Sequence, residues 1–362
     1  MSASPTLQVF FGTYTPANGA SRGIYSAQLD LATGALSTPV VAAETATNPT
    51  FLAWRPDGRT LFALSAAKAP DGTTGGALAS YRFDPAKGTL ASLNLNPTRG
   101  GPLAHLNVDL SGRVAIAISY HAGEVASFPL NPDGSLGACA SLLKTTGALG
   151  PHPKRQDKPH AHSATFSPDN RFFYVCDLGL DRIFRYAFDP ATAGLAPAGE
   201  TATAPGAGPR HSKFSADGKF FYVINELNST ITPYAVDAAT GALTALQSVS
   251  TLPEGFSGEN ICAEIRLSPD DRFVYGSNRG HDSLAVFARH AVTGGLSLVE
   301  IVPSGGKHPR NFNLTPDGRW LLSANRDTDN VVVFRVEPAT GRLTQAGHEI
   351  KVPQAVCVLF AP

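Results

Sequence analysis

Two histidines, His160 and His162, stand two residues apart in the string PHAHSATFSPDNRFFYVCDLG, just ahead of an alternating apolar run. In an extended strand that spacing turns both imidazoles to one face, where they could bind a metal, pass a proton or hold a loop. Three further strings carry ionisable side chains: GPRHSKF with Arg210, INELNST with Glu226 and SNRGHDS with Arg279. A carboxylate between two guanidiniums stays ionised and can accept a proton from water. The guanidiniums supply planar donors for a developing oxyanion or for an anionic group on a substrate. A free imidazole titrates near neutrality, so the base could be either Glu226 or His162.

Other candidates surround this set. His160 is expected beside His162, as its partner or as a substrate contact. Lys307, His308 and Arg310 in GKHPRNF could bind an anionic group or form a solvated rim. Glu264 and Arg266 in AEIR share a strand face, as an ion pair in a channel or, for Arg266, as a substrate contact. By the same alternation His211 faces away from Arg210 and reads as structural. Asn225, Asn278 and Asn325 recur at equivalent strand ends, which points to a structural role. No third His or Cys ligand sits at a recognised spacing from His160 and His162, so neither a metal nor another cofactor is expected.

The elements that must position these residues follow from internal repetition. A strand followed by an Asp-like residue, a Gly and a Leu occurs seven times, at Leu36, Leu90, Leu136, Leu195, Leu243, Leu296 and Leu343, with steps of 46 to 59 residues. The step from Leu343 through the C-terminus to Leu36 falls in the same range. A second signature, RPDGR, LSGR, SPDNR, SADGK, SPDDR and TPDGR, interleaves with the first but occurs only six times. The missing copy is the one the termini cut open, with PQAVCVLF before it and LQVFFGTYT after it. Seven units of alternating strands with Pro/Asp/Gly turns predict an all-β fold, a seven-bladed β-propeller of four-stranded antiparallel blades. Residues 1–362 form a single domain on this reading, and the C-terminus supplies the innermost strand of the closing blade. The Asp and Gly of both signatures answer to turn geometry. Both kinds of turn fall on one face, the lower; His, Arg, Glu and Asn crowd the loops of the opposite, upper face around the central channel. The Ala/Gly-rich connection SAAKAPDGTTGGA is expected to reshape the upper rim.

With 362 residues and 43% apolar residues the chain can bury a large core, and only 16% of it is charged. A net charge of zero without a basic stripe gives no sign of nucleic-acid binding. No stretch is long and apolar enough to span a membrane, and the N-terminus lacks the pattern of an export signal. The four cysteines show no C-x-x-C spacing and read as reduced thiols, so a cytoplasmic protein, monomeric or weakly dimeric, is expected.

Taken together, PHAHSATFSPDNRFFYVCDLGLDRIFRY, GPRHSKFSADGKFFYVINELNSTITPY, AEIRLSPDDRFVYGSNRGHDSLAVF and HPRNFNLTPDGRWLLSANRDTDNVVVF resemble the seven-bladed propeller lactonases, over essentially the whole chain. That family includes bacterial 6-phosphogluconolactonases and fungal carboxymuconate cyclases. The resemblance implies lactone chemistry at the channel mouth, with His162, Arg210, Glu226 and Arg279 as catalytic participants and a small, anionic lactone as substrate. Hydrolysis of 6-phosphogluconolactone is the leading expectation. A lactonising cycloisomerase, a hydrolase of an unphosphorylated sugar or aromatic lactone, and a non-enzymatic scaffold are the alternatives. The turns SPDN and SPDD lack the glycine of their siblings, a departure confined to the lower face.

Overall fold

In a computed structural model of the protein, which describes residues 5–68 and 72–362, the apolar runs FFYVIN and WLLSAN are strands Phe220–Asn225 and Trp320–Asn325, buried at every position. Each is the second strand of its sheet and is covered on both faces by neighbouring sheets, so hydrophobicity runs unbroken along it. Outermost strands differ: Leu343–Lys351 alternates between covered and exposed residues, as a strand with one face in water must. Residues 1–4, and residues 69–71 of the Ala/Gly-rich connection, lie outside the described residues.

Seven antiparallel sheets form the blades. Six take their strands in chain order from the axis outward, beginning at Leu52–Trp54, His105–Val108, Ala161–Phe166, Pro209–Phe214, Ile261–Leu267 and Pro309–Leu314. They are numbered here as blades 1 to 6. In blade 4 the outer strand is broken into Leu243–Ala245 and Val249–Ser250, both paired with Thr230–Val236. Blade 7 closes the ring: Ala355–Phe360 is its inner strand, hydrogen-bonded to Thr6–Thr13, with Ile24–Asp30 and Val40–Ala43 outside. This is the closure expected from the missing hairpin.

The core lies between blades. Phe273, Tyr275, Leu284 and Val286 of blade 5, for example, pack on Phe312, Leu314, Leu321 and Val332 of blade 6. Each such side chain contributes about 1.5–3 kcal/mol when fully buried. Polar contacts lock the blades in sequence. Tyr174 Oη donates to the Gly241 carbonyl at 2.6 Å, Tyr222 to Gly294 at 3.0 Å and Tyr275 to Gly341 at 3.0 Å, while Trp320 Nε1 reaches Leu31 O at 3.0 Å. Each acceptor lies in the Asp/Gly turn of the next blade. Those turn glycines therefore do more than bend the chain: a Cβ at Gly294 would strike the ring of Phe220, and one at Gly341 the ring of Phe273. On the SPDN and SPDD turns Asn170 and Asp271 adopt the left-handed backbone, with φ of 57° and 63°, that Gly218 and Gly318 adopt elsewhere. Asn and Asp tolerate this region, which explains why glycine is dispensable there.

A third set of bonds stitches the inner strands around the axis. Asn107 Nδ2 donates to Ala164 O, Thr165 Oγ1 to Ser212 O, Arg266 Nε to Phe312 O and Asn313 Nδ2 to Val358 O, each at 3.1–3.3 Å. Every one joins a blade to its successor.

Removing residues 353–362 strips the ring of its closing strand and exposes the hydrogen-bonding edge of Thr6–Thr13. We expect the truncated chain to lose its cooperative melting transition; an unchanged Tm in circular dichroism would refute this account of closure. Tyr222→Phe deletes one inter-blade bond and should cost about 1 kcal/mol in denaturant unfolding. Gly294→Ala should cost more, because it adds backbone strain at φ 72° to the clash with Phe220.

Candidate active site at the upper mouth

Where the inner strands begin, five of the seven depart from regular pairing, and in three of them the departure passes over a His or an Arg. The pairing register skips one residue between Ala161 and Ser163, between Pro209 and His211, and between Pro309 and Asn311. The skipped residues are His162, Arg210 and Arg310. A bulge bends the strand and re-aims its extra residue, and here it lets two successive side chains face the channel. All three skipped residues, together with His211 and Asn311, line one upper cavity of about 520 Å³.

Glu226 follows the second strand of blade 4 and is fixed through its backbone. Its N–H donates to Gly208 O at 2.7 Å and its carbonyl accepts from Cys262 N at 3.1 Å. The side chain is 2% exposed. Oε2 accepts from Arg210 Nε at 2.8 Å and lies 3.0 Å from Arg279 Nη2, while Oε1 meets Arg155. His162 Nε2 lies 3.9 Å from Oε2, too far for a hydrogen bond. Burial would raise the Glu226 pKa, but Arg279, Arg210, His162 and Arg155 outweigh it and hold the carboxyl well below its usual range. The sequence reading of an ionised Glu226 between Arg210 and Arg279 thus matches the geometry.

Arg155 is the participant that sequence reasoning missed. It lies in the connection between blades 2 and 3, also bonds Tyr120 Oη at 3.3 Å, and is held by a loop that Gln156 pins through Leu178 O at 2.8 Å. Neither strand period nor turn signature marks such a position. The only signal was the cluster of basic residues in PHPKRQDKPHAH.

The two opening histidines part company. The bulge at His162 breaks the alternation that would have put them on one face. His162 points to Glu226, whereas His160 engages Asp157 Oδ1 at 2.9 Å and Tyr120 O at 3.0 Å through its two ring nitrogens and stacks on the Tyr120 ring. His160 does not line the cavity; it buttresses the residue that supports Arg155. His211 is also corrected: the bulge at Arg210 turns it into the channel instead of away, with its ring 5.1 Å from that of His162. Lys307 is exposed on the rim outside the cavity lining. Arg266 lies at the opposite end of the channel, 3.6 Å from Glu264, which bears out the ion pair but not contact with a ligand at the upper mouth. His308 and Arg310 do line the cavity, and Arg310 rests over the Tyr14 ring. Asn225, Asn278 and Asn325 tie strand ends within or between loops, as their repetition suggested.

Below Glu226 the channel is plugged. His211 Nδ1 donates to Glu264 Oε2 at 3.2 Å, Asn311 donates to the same oxygen, and the rings of His162, His211, His105 and Phe51 follow one another at 4.1–5.1 Å. Burial first, then neighbouring cations, depress the pKa of His162 and His211 far below that of free imidazole. Both are neutral. Several buried polar atoms on the cavity residues have no partner: His162 Nδ1, His211 Nε2, Arg279 Nε and His308 Nε2. Native proteins rarely leave such atoms unpaired except where a ligand or water completes them. Among the described residues no group of three or more His, Cys, Asp or Glu side chains is placed to hold a metal ion.

A family model described as a seven-bladed β-propeller lactonase matches residues 8–360. The 6-phosphogluconolactonase of Bacillus subtilis is 38% identical over 351 residues, covering 97% of each chain. A 6-phosphogluconolactonase of Formosa agariphila is 30% identical over 73% of this chain and 74% of its own. The periplasmic gluconolactonase of Pseudomonas aeruginosa superposes with a TM-score of 0.91 at 33% identity, covering 99% of each chain. Whole-length matches at this identity, on a propeller whose charged residues converge at one mouth, place the chain in the seven-bladed β-propeller lactonase family, enzymes that open cyclic esters.

Proposed function

We propose that the protein hydrolyses 6-phosphogluconolactone at the upper mouth. The observation that carries this reading is the charge of the cavity: among the described residues it is lined by five arginines, Arg155, Arg210, Arg279, Arg310 and Arg326, against one acidic side chain, Glu226. Such an excess suits a substrate that brings a dianionic phosphate. Arg310 makes no ion pair with any described residue, which leaves its guanidinium for that phosphate. The cytoplasm remains the proposed compartment, with all four cysteines unpaired.

In this mechanism water attacks the lactone carbonyl, Arg279 stabilises the oxyanion, and the ring C–O bond breaks with a proton returned to the alkoxide. Both carboxylate oxygens of Glu226 are already engaged by guanidiniums. His162 is neutral and its Nδ1 is unpartnered, which leaves that nitrogen to take the proton from water while Glu226 holds the arginines in register. One relative, the gluconolactonase, supports a second reading in which the substrate carries no phosphate. A panel of phosphorylated and unphosphorylated lactones, followed by proton release, separates the two.

His162→Gln should lower kcat about 100-fold with little change in KM, the scale of a general-base loss. Glu226→Gln should raise KM as well as lower kcat, because the guanidiniums lose their counter-charge. If His162→Gln keeps more than half of wild-type kcat, Glu226 is the base. Arg310→Ala should raise KM for the phosphorylated lactone about tenfold and leave gluconolactone turnover nearly unchanged, as expected for loss of one charge-assisted contact.

The buried histidines also set an acid limit. Burial, then neighbouring cations, keep His105, His162 and His211 neutral in the folded state, and burial with Arg279 and Arg326 pushes His308 down to about 3. An unfolded chain protonates the same groups near pH 6.5, so it binds more protons below that pH and stability falls as pH drops. Each histidine contributes a slope of up to about 1.4 kcal/mol per pH unit. Denaturant midpoints between pH 7.5 and pH 5 measure it, and a flat profile over that interval would contradict neutral burial.

A further inference from the structure

The channel has a second opening, and its wall is unlike the first. On the lower face a cavity of about 480 Å³ is bounded by Lys213 and Arg266 together with Trp54, Leu314, Leu359 and Phe360. The plug of Glu264, His211 and Asn311 separates it from the upper cavity. We propose that this lower mouth is a separate binding site for a small organic anion, whose phosphate or carboxylate head is held by Lys213 and Arg266 and whose apolar body rests on Trp54 and Phe360.

The stitching of the inner strands makes Lys213 conspicuous. Asn107, Thr165, Arg266 and Asn313 each bond the inner strand of the following blade. Lys213 occupies the equivalent position in blade 4, two residues beyond His211 as Thr165 is beyond Ser163 and Asn313 beyond Asn311. Its ammonium makes no such bond and no ion pair with any described residue. Asparagine or threonine would serve the fold better there, because a largely covered, unpaired ammonium beside a guanidinium is costly to keep. Burial, then Arg266, push its pKa down to about 8. Arg266 commits only Nε, to Phe312 O and toward Glu264, and its terminal nitrogens have no described partner.

No Asp or Glu side chain lines this cavity. Pro362 also lies on its rim, packed over Gly58 of the blade 1 turn, and makes no ion pair with either cation. Two cations side by side over an apolar floor are complementary to an anion with a compact hydrophobic body. An Arg beside a Lys recognises a carboxylate or phosphate by a planar fork plus a point charge.

Phenyl phosphate is a probe of this chemistry, and inorganic phosphate tests the head alone. Brief acetylation with a limiting amine reagent, read by peptide mass spectrometry, reports Lys213 directly, with exposed Lys87, Lys154 and Lys219 as internal references. At about four times its Kd a ligand leaves a fifth of sites free, so phenyl phosphate should slow acetylation of Lys213 roughly fivefold while the reference lysines are unaffected. Inorganic phosphate should protect less at the same concentration. The protection should disappear in Arg266→Gln and persist in Arg310→Ala, which alters only the upper cavity. Equal acetylation of Lys213 with and without phenyl phosphate would overturn the site. So would protection that is lost in Arg310→Ala, since the effect would then come from the upper mouth. Lys213→Met should retain lactone turnover within about twofold and raise Tm, because it removes an uncompensated charge. A lowered Tm in that variant would mean that Lys213 serves the fold, against the proposal.

Discussion

The charge balance around Glu226 is the constraint on which the upper mouth depends. Three guanidiniums, from the loop before blade 3, the inner strand of blade 4 and the second strand of blade 5, converge on one carboxylate that water hardly reaches. Without it the cations would repel one another across a low-dielectric cavity, and removing one member of such a cluster leaves the rest uncompensated. With it, the arginines stand as an ordered set of donors that a substrate meets already in place. Preorganisation of this kind is how a polar site stabilises charge that develops only in the transition state.

The propeller supplies this convergence through its geometry. Seven inner strands meet along one axis, so residues far apart in the chain, such as Arg155 and Arg279, reach the same carboxylate. Rigid placement requires that blades not slide. Aromatic latches such as Tyr222 to Gly294 hold the blade edges, and the stitches from Asn107 to Asn313 hold the inner strands. The bulges at His162, Arg210 and Arg310 interrupt regular pairing where a side chain is turned toward the axis.

One consequence is that the channel holds two separate cavities and is not an open pore. The ring-filled layer of His105, His211, Glu264 and Asn311 leaves a guanidinium-rich cavity above and a smaller cationic pair below. The upper cavity is polar and supported by buried networks; the lower has an apolar floor and an amine with no structural bond. Different walls imply different ligands.

Read alone, the sequence determined the seven-fold repeat, the strand order within each blade, the closure by the C-terminal strand and the face on which charged residues gather. Those properties follow from local signals: turn residues, strand alternation and the spacing of the Leu that ends each unit. It also determined that Glu226, Arg210 and Arg279 share one mouth, because equivalent positions in a repeat share one end of the fold. Tertiary structure alone decided the rest. Alternation placed His160 beside His162 and turned His211 away, but a one-residue bulge reverses both expectations, and a bulge leaves no mark in a single sequence. Arg155 lay in a connection without periodicity, so only the folded loop could bring it to Glu226. Lys213 carries no signal in the strand pattern, and only the bonds its neighbours make around the axis single it out.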